Sequence, residues 1–412
     1  MTKLSLTLIA VPLLASFARA ADELPVEWVD PDTHHRIIRL STEPGTASLY
    51  FHQNAYSPDG KKLLVTTPGG GLATIDLETR KTDPIVAGPV RVVIMGHKTG
   101  DIYYVKDDTI FAASLATKES RQIAKVPAGG SVNSVNADET LVAGTITHGT
   151  PVVVPSSTPP TPPATRPQSR GARIEERYNQ HLPMELFTID TRSGECKTFH
   201  PSTEWLNHLQ FSPTDPGQLL FCHEGPWHKV DRTWLIGTDD SGLTQVHKRT
   251  MTMEIAGHEF FSADGKTVWY DLQTPRGEDF WLAGYEIATG ARTWYHLSRD
   301  EWSVHFNVSH DGKLFAGDGG NEGQVAHAKD GKWIYLFRPE ILPNRAADMP
   351  GQERLIRSGV LHGERLVNMS KHDYTLEPNV TFTPDDKWIV FRSNMLGPTH
   401  VYAVEVQPTN AK

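Results

Sequence analysis

Polar residues at one repeated position carry the strongest chemical signal in this sequence. Five stretches contain a short apolar run that ends in a hydroxyl residue and a polar turn, as in residues 53–60 and 258–265. Imidazole takes up and releases protons near neutral pH, and imidazole and amide oxygen both bind metal ions. Four residues before each hydroxyl residue stands such a group: Gln53, His208, His258, His305 and Asn379.

A phrase that returns along a chain indicates a repeat architecture, in which matched positions of successive units are brought together. We therefore predict that these five side chains face one another around one axis. The alternative for any single histidine is a hydrogen-bonded core residue. Three histidines at one matched position favour a site instead.

Polar side chains in the last two repeats are of types that bind a divalent cation. Glu377 stands two residues before Asn379, and side chains two apart on a strand share a face. With His305 they offer an imidazole, a carboxylate and an amide oxygen. This set suits Mn²⁺ or Ca²⁺ better than a structural zinc ion.

A second cluster lies in residues 222–232, where His223, Glu224 and Arg232 fall within one loop. Arginine can hold a carboxylate through two parallel hydrogen bonds, so this loop predicts a site for an anionic substrate. Arg276 is a further candidate from the equivalent loop of the next unit. A solvated loop without a binding role is the alternative.

The elements that must position these residues are short strands. Runs such as residues 62–67, 219–222 and 388–391 alternate with polar turns along the whole chain, and they group into seven units of four strands. We predict an all-β fold, a seven-bladed β-propeller, whose ring is closed by an N-terminal strand near residues 35–41 in the last blade. A pair of β-sandwiches is the alternative, and it does not require matched polar positions.

Composition and the first residues bound the organisation of the chain. With 412 residues the chain carries a formal charge of −9, which argues against a nucleic-acid partner, since such a partner favours a basic face. Residues 1–20 have the charged start, apolar run and Ala18-Arg19-Ala20 end of a signal peptide, and that run is too short for a membrane span. The sequence therefore predicts an exported, periplasmic protein with one domain at 21–412. Its oligomeric state stays open, as do a final location outside the cell and a disulfide between Cys196 and Cys222.

One segment interrupts the repeats. Residues 151–184 form an insertion within the third blade, and the part from 151 to 168 is rich in Pro, Ser and Thr, a composition that does not build a core. It is interpreted either as an inert surface loop or as a flap over the mouth of the channel.

Phrases spread over most of the mature chain resemble the oligogalacturonate lyases of polysaccharide lyase family 22. The resemblance implies a seven-bladed propeller that cleaves short galacturonides by β-elimination with a divalent metal, typically Mn²⁺. It places the general base on His258, the charge-stabilising arginine on Arg232 and one metal ligand on His305. The phrases that carry it are residues 221–226, 230–232, 258–260, 305–312, 316–319 and 381–387.

The chain departs from the family in its remaining metal ligands. The family has a Gln-x-x-His-x-His motif, and the same register here holds Tyr374, Glu377 and Asn379. Glu377 and Asn379 remain able to ligate, and His372 stands close by as a substitute. The other polar candidates are assigned to substrate binding: His208, His223, Glu224, Arg276, Gln53 and His372.

These observations predict a lyase that acts on short oligogalacturonides, or on related uronate oligosaccharides, in pectin degradation. Its partner is an acidic oligosaccharide, with no nucleic acid and no membrane span. The alternative is a non-catalytic propeller that binds carbohydrate or protein. That alternative explains the fold equally well, but it does not require a base and an arginine at matched sites.

Overall fold

The computed structural model describes residues 24–149, 170–326, 328–343 and 355–408. Strands make up 45% of the chain and helix 3%, which confirms the all-β prediction. The predicted signal peptide and residues 151–168 lie outside the described residues. No helix among the described residues is long and apolar enough to cross a membrane.

Most strands pair antiparallel with the strands next to them in sequence. Two strands begin the described chain: β1 (Glu27–Val29) and β2 (Arg36–Arg39). The first two four-stranded sheets are β3 (Ala47–Ser48), β4 (Lys62–Thr66), β5 (Leu72–Asp76) and β6 (Thr82–Val86), followed by β7 (Arg91–Met95), β8 (Ile102–Lys106), β9 (Thr109–Ala113) and β10 (Ser120–Lys125). The next two are β11 (Gly130–Val135), β12 (Leu141–Thr147), β13 (Met184–Asp190) and β14 (Cys196–Ser202), followed by β15 (Trp205–Phe211), β16 (Gln218–Glu224), β17 (Thr233–Gly237) and β18 (Thr244–Gln245).

An eight-stranded sheet follows, in which two four-stranded groups meet where β22 pairs parallel with β26. Its strands are β19 (Ile255–Phe261), β20 (Thr267–Gln273), β21 (Phe280–Glu286), β22 (Arg292–His296), β23 (Asn307–Val308), β24 (Phe315–Gly317), β25 (Trp333–Ile341) and β26 (Arg357–Asn368). The last sheet adds β27 (Thr381–Phe382), β28 (Trp388–Ser393) and β29 (His400–Glu405) to the first two strands. In it β2 pairs antiparallel with β29, with Ile37 opposite Val404.

The repeated phrase of the sequence is the turn that joins the first two strands of a unit. The Ser262 hydroxyl donates to Asp264 Oδ1 at 2.7 Å, and the backbone N–H of Thr267 donates to Ser262 Oγ at 3.0 Å. Gly265 between them has φ of 69°, a conformation that costs glycine nothing. Ser57, Ser309 and Thr383 make the same pair of bonds.

Apolar side chains fill the spaces between consecutive sheets. One core joins strands of the first sheet to the second and also to the last, since Leu64 and Met95 share it with Val390. Another joins β24 and β25 to the last sheet and includes Ile37 of β2. The polar ends of the strands are therefore held on a continuous packed frame.

Two short helices and the state of the two cysteines were not predicted from the sequence. The helix α1 (Arg170–Asn179) lies between β12 and β13, and its short period escaped the sequence reading. A short 3-10 helix covers Arg299–Glu301. Both cysteines are free, Cys196 exposed and Cys222 buried, so the two do not form a disulfide.

Candidate active site

The matched polar positions share one unusual backbone conformation. His208, His258 and His305 have φ of 50°, 49° and 45°, and Asn379 has φ of 55°. Non-glycine residues seldom adopt this left-handed region. At His208 and His258 the register of the strand pair also shifts, as in a β-bulge, which re-aims a side chain out of the regular pleat. Gln53 does not share this conformation.

His258 and His305 are neighbours, with ring centroids 4.6 Å apart. The residues are 47 positions apart in sequence but lie at the same point of β19 and of the segment leading into β23. The matched spacing thus brings the two histidines together, as the repeat predicted.

His258 forms a pair with an aspartate of the adjacent strand. Its Nδ1 donates to Asp271 Oδ2 at 2.9 Å, so Nε2 is left as the basic nitrogen. Burial alone would lower the pKa of His258, but the carboxylates of Asp271, Glu259 and Glu377 outweigh it and raise the pKa above its ordinary value. The side chain is 13% exposed, which leaves it accessible from the cleft described below.

His305 repeats this pair one unit later. Its Nδ1 lies 2.8 Å from Asp318 Oδ2, which also accepts the backbone N–H of Asn379 at 3.0 Å. Because Asp318 Oδ2 accepts, His305 Nδ1 donates and Nε2 carries the lone pair. That Nε2 is buried without a hydrogen-bond partner and lies 3.7 Å from Glu377 Oε2. Burial, with the nearby charge of His258, lowers the pKa of His305 to about 3, so the imidazole is neutral.

The amide of Asn379 is already committed to the backbone. Its Oδ1 accepts the N–H of Phe51 at 3.1 Å, and its Nδ2 donates to the carbonyl of Glu377 at 3.0 Å. His372 is likewise engaged at both nitrogens, by Ser393 Oγ at 2.9 Å and the carbonyl of Leu376 at 2.7 Å. These two residues therefore hold the segment that carries Glu377, whose side chain is 37% exposed.

Arg232 is the centre of a buried ion-pair cluster. Its Nη1 donates to Glu224 Oε1 at 2.5 Å, and Glu224 Oε2 lies 3.3 Å from Nε2 of His208. Arg232 also lies 4.0 Å from Glu259 and stacks on Trp227, with 4.6 Å between its central carbon and the ring centroid. Burial alone would raise the pKa of Glu224, but Arg232 and His208 lower it well below its ordinary range.

The cluster of His208, Cys222 and Glu224 has ligand atoms within 4.8 Å of one another. Such a group could in principle take a metal ion. Here Nη2 of Arg232 lies 3.5 Å from Cys222 Sγ, so a guanidinium already neutralises this cluster. The cluster is therefore part of the ion-pair network around Arg232.

Two adjoining cavities bring these groups to one surface. A cleft of about 420 Å³ contains both His258 and Arg232, and a neighbouring cavity of about 860 Å³ contains both His258 and His305. The two share Ile174, Trp227, His258 and Glu377. The cleft is lined by Tyr50, Phe51, His52, Ile174, Trp205, Asn207, His208, Gln210, Glu224, Trp227, Arg232, His258, Glu259 and Glu377.

The remaining sequence candidates lie around this centre or away from it. Arg276 lines the larger cavity. His223 packs against Trp234, with ring centroids 5.0 Å apart, and lines neither cavity. Gln53 lines another cavity of about 270 Å³, which shares Phe51 and His52 with the cleft but contains none of the three matched histidines, and its amide donates to the carbonyl of Val93 at 2.9 Å. The structure thus does not bring Gln53 together with the histidines.

Sequence reasoning missed several residues of the site. Asp271 and Asp318 were not singled out, yet each lies 13 positions after its histidine, and this repeated spacing was a readable signal. Glu259 is buried and lies 4.0 Å from Arg232. Tyr50 and His52 also line the cleft, and burial lowers the pKa of His52 to about 3; no spacing in the sequence marked these two.

The fold and the site together define a β-sheet protein that holds a histidine–aspartate pair, a buried arginine and a second imidazole beside a carboxylate around adjoining cavities. The family model for oligogalacturonate lyase matches residues 26–410, and the chain belongs to this family. This confirms the resemblance that the sequence motifs indicated, and it makes the chain a lyase.

Individual relatives match this chain over nearly its whole length. An oligogalacturonate lyase of Dickeya dadantii is 26% identical, over 92% of this chain and 95% of that protein. A solved oligogalacturonate lyase in complex with manganese has a TM-score of 0.75 at 22% identity, covering 92% of this chain and 96% of the other. The β-propeller domain of Cps50 (Swd1) from Myceliophteria thermophila has a TM-score of 0.50 at 9% identity, covering 88% and 98%.

Proposed function

We propose that this protein cleaves short oligogalacturonides by β-elimination in the cleft between His258 and Arg232. The observation that carries the proposal is the His258–Asp271 pair, which leaves Nε2 as the basic nitrogen of a side chain that lines the same cleft as a buried arginine. The non-catalytic alternative would leave this pair without a purpose. No observation on the described residues favours it.

The chemistry begins at the C5 proton of a galacturonate residue, which is too weakly acidic to leave unaided. His258 Nε2 takes this proton, and Asp271 holds the imidazole in the tautomer that can accept it. Positive charge from Arg232 stabilises the negative charge that develops on the C6 carboxylate. The C5–H electron pair becomes the C4=C5 double bond, the C4–O4 bond breaks with its electron pair on O4, and O4 takes up a proton from solvent as the next sugar leaves with it.

The residues around His305 fit a divalent cation. The carrying observation is the buried, unpaired Nε2 of His305 beside the carboxylate of Glu377. One solved relative is an oligogalacturonate lyase in complex with manganese, and imidazole with carboxylate suits that ion. We propose that His305 and Glu377 hold Mn²⁺, while Asn379 orients Glu377 through the backbone. When bound, the ion would supply Lewis-acid stabilisation of the substrate carboxylate.

We further propose that the sheets form seven blades in a closed ring. The eight-stranded sheet divides into two groups of four at the β22–β26 pair, and the other sheets supply five groups. Pairing of β2 with β29 and the core shared by the first and last sheets support closure. The single domain of residues 21–412 follows from this arrangement.

Export to the periplasm is proposed from residues 1–20 of the sequence. Fractionation of cells that express the full chain tests it. Recovery of the protein with residues 1–20 intact in the cytoplasmic fraction would overturn this proposal.

Absorbance of the unsaturated product tests the lyase proposal. We expect a steady ultraviolet rise when wild-type protein meets di- or trigalacturonate, and a loss of at least about 100-fold in rate for His258→Ala, since a positioned base contributes about 10²–10⁴-fold. His296→Ala is the matched control, because His296 lies near Asp279 at 3.5 Å on the surface, outside the site. Chelator should lower the rate and added Mn²⁺ restore it. An undiminished rate in His258→Ala would overturn the proposal.

A further inference from the structure

The helix α1 forms part of the wall of the cleft. Ile174 lines both the cleft and the larger cavity. The helix is held against the loop that follows β16: Glu175 forms an ion pair with Lys229, and Tyr178 packs on Gly225, where an added Cβ would lie 2.7 Å from its ring. Since that loop leads to Arg232, the position of α1 is fixed relative to the proposed catalytic arginine.

Arg177 stands one turn after Ile174 on this helix. Its guanidinium lies over Trp205, with 5.1 Å between the central carbon and the ring centroid, and its Nη2 donates to the weak acceptor Met184 Sδ at 3.4 Å. Among the residues that the structure describes, no carboxylate pairs with Arg177. This half-buried guanidinium therefore keeps N–H donors that can bind a ligand carboxylate.

Trp205 connects Arg177 to the catalytic centre. It lines the cleft together with Asn207 and His208 of the same strand, and it lies directly opposite Glu224 in the β15–β16 register. Arg232 is bound to Glu224. Arg232 thus lines the cleft and is already paired, whereas Arg177 does not line the cleft itself but lies against Trp205, which does.

An oligogalacturonide repeats the same chemistry at every sugar, with one carboxylate and one apolar ring face each. Indole rings offer a broad apolar surface with low conformational entropy cost, and arginine binds carboxylates through two parallel donors. We propose that Trp205 and Arg177 form a subsite for the uronate residue adjacent to the one that reacts. This inference rests on the proposed substrate class, and it assigns to α1 a part in substrate binding.

Calorimetric binding of mono-, di-, tri- and tetragalacturonate tests the subsite. The parent protein is the His258→Ala variant, in which the added galacturonides are not cleaved during the titration. We expect the added change Arg177→Gln to weaken binding of the oligomers by about tenfold, which corresponds to about 1.4 kcal/mol. Binding of the monomer should stay unchanged, because one sugar occupies the central site alone. Arg177→Lys keeps the charge and should recover part of the loss.

Arg192→Gln in the same background is the matched control. Arg192 is exposed in the turn between β13 and β14, so this change removes an equal charge without touching the cleft. Oligomer binding that is unchanged in Arg177→Gln would overturn the subsite alone, as would an equal loss for monomer and oligomers. A parent that binds no galacturonide would overturn the proposed substrate class as well. Thermal unfolding of each variant confirms that it is folded.

Discussion

The two histidine–aspartate pairs have the same geometry, but the pKa of the histidine is shifted in opposite directions in them. The carboxylates around His258 raise its pKa, whereas burial and the charge of its neighbour lower that of His305 to about 3. Two imidazoles with centroids 4.6 Å apart cannot readily be charged together. The arrangement separates their roles, with His258 suited to proton transfer and His305 suited to hold a cation through a neutral nitrogen.

Asp271 is expected to act as a positioning residue for His258. In Asp271→Asn the amide cannot fix the same tautomer, and kcat should fall by at least about 100-fold with little change in KM, as expected when a base loses its orienting carboxylate. Steady-state kinetics measures both constants. Asp239→Asn, at an exposed turn, is the control. A raised KM with unchanged kcat would show instead that Asp271 only shapes the binding surface.

At the scale of the elements, each site residue depends on the loop or turn that starts its strand. Glu254 is fully buried just before β19, and it accepts hydrogen bonds from the backbone N–H and hydroxyl of Thr250 at 2.7 and 2.9 Å. Its other oxygen lies 2.6 Å from His247 Nε2. This carboxylate thus fixes the entry of the strand that carries His258.

The stability of this loop should depend on pH. Burial alone would raise the pKa of Glu254, but its bonds with His247 and Thr250 outweigh it and lower the pKa below its ordinary value of 4.5. A depressed carboxylate pKa contributes stability that is complete above the unfolded-state value and is lost as pH falls through the folded-state value. Removing the carboxylate should therefore matter most at neutral pH.

Glu254→Gln is expected to lower the free energy of unfolding by about 1–3 kcal/mol at neutral pH, the usual cost of an unpaired buried group. Urea unfolding at a series of pH values measures the difference from wild type, which should shrink in acid. Glu119→Gln, on an exposed turn residue, should show no such trend. A constant difference across the pH series would contradict the assigned role.

Most strand positions could be predicted from the sequence, because recurring turn residues mark where strands end and begin. The hydroxyl-Asp-Gly phrase specifies side-chain bonds that close a strand pair, so strand positions and the meeting of His258 with His305 followed from spacing. The partners Asp271 and Asp318 lie in or directly after the second strand of their units; the repeated spacing of 13 residues marks them, and the cross-strand register places each beside its histidine. Tyr50 and His52 reach the cleft from an irregular turn, which carries no period. The helix α1 could not be predicted, because its ten residues hold too few turns to show a helical period.

At the scale of the whole molecule, the strand β2 joins the start of the described chain to its end. Ile37 contributes to the core between β24, β25 and the last sheet, whereas Ile38 contributes to the core between the first and last sheets. A closed ring would transmit the loss of either side chain to every sheet. An open stack of sheets would lose only its terminal sheet.

Ile37→Ala is expected to lower the free energy of unfolding by about 2–5 kcal/mol, the range for a large core residue. In a closed ring, tryptophan fluorescence and circular dichroism should report one common transition at a lower denaturant concentration. The control is Val29→Ala in β1, where Val29 is 48% exposed, with an effect within about 0.5 kcal/mol. Separate transitions for the two probes would argue against ring closure.

The left-handed backbone at His208, His258, His305 and Asn379 has a consequence for how such a centre can change. The main chain, and not the side chain, sets the direction in which each group points. Exchange of an imidazole for an amide at one of these points alters the chemistry offered there while the strands stay in place. Asparagine tolerates this backbone region well, so the scaffold can accept a different set of donor atoms with little cost in stability.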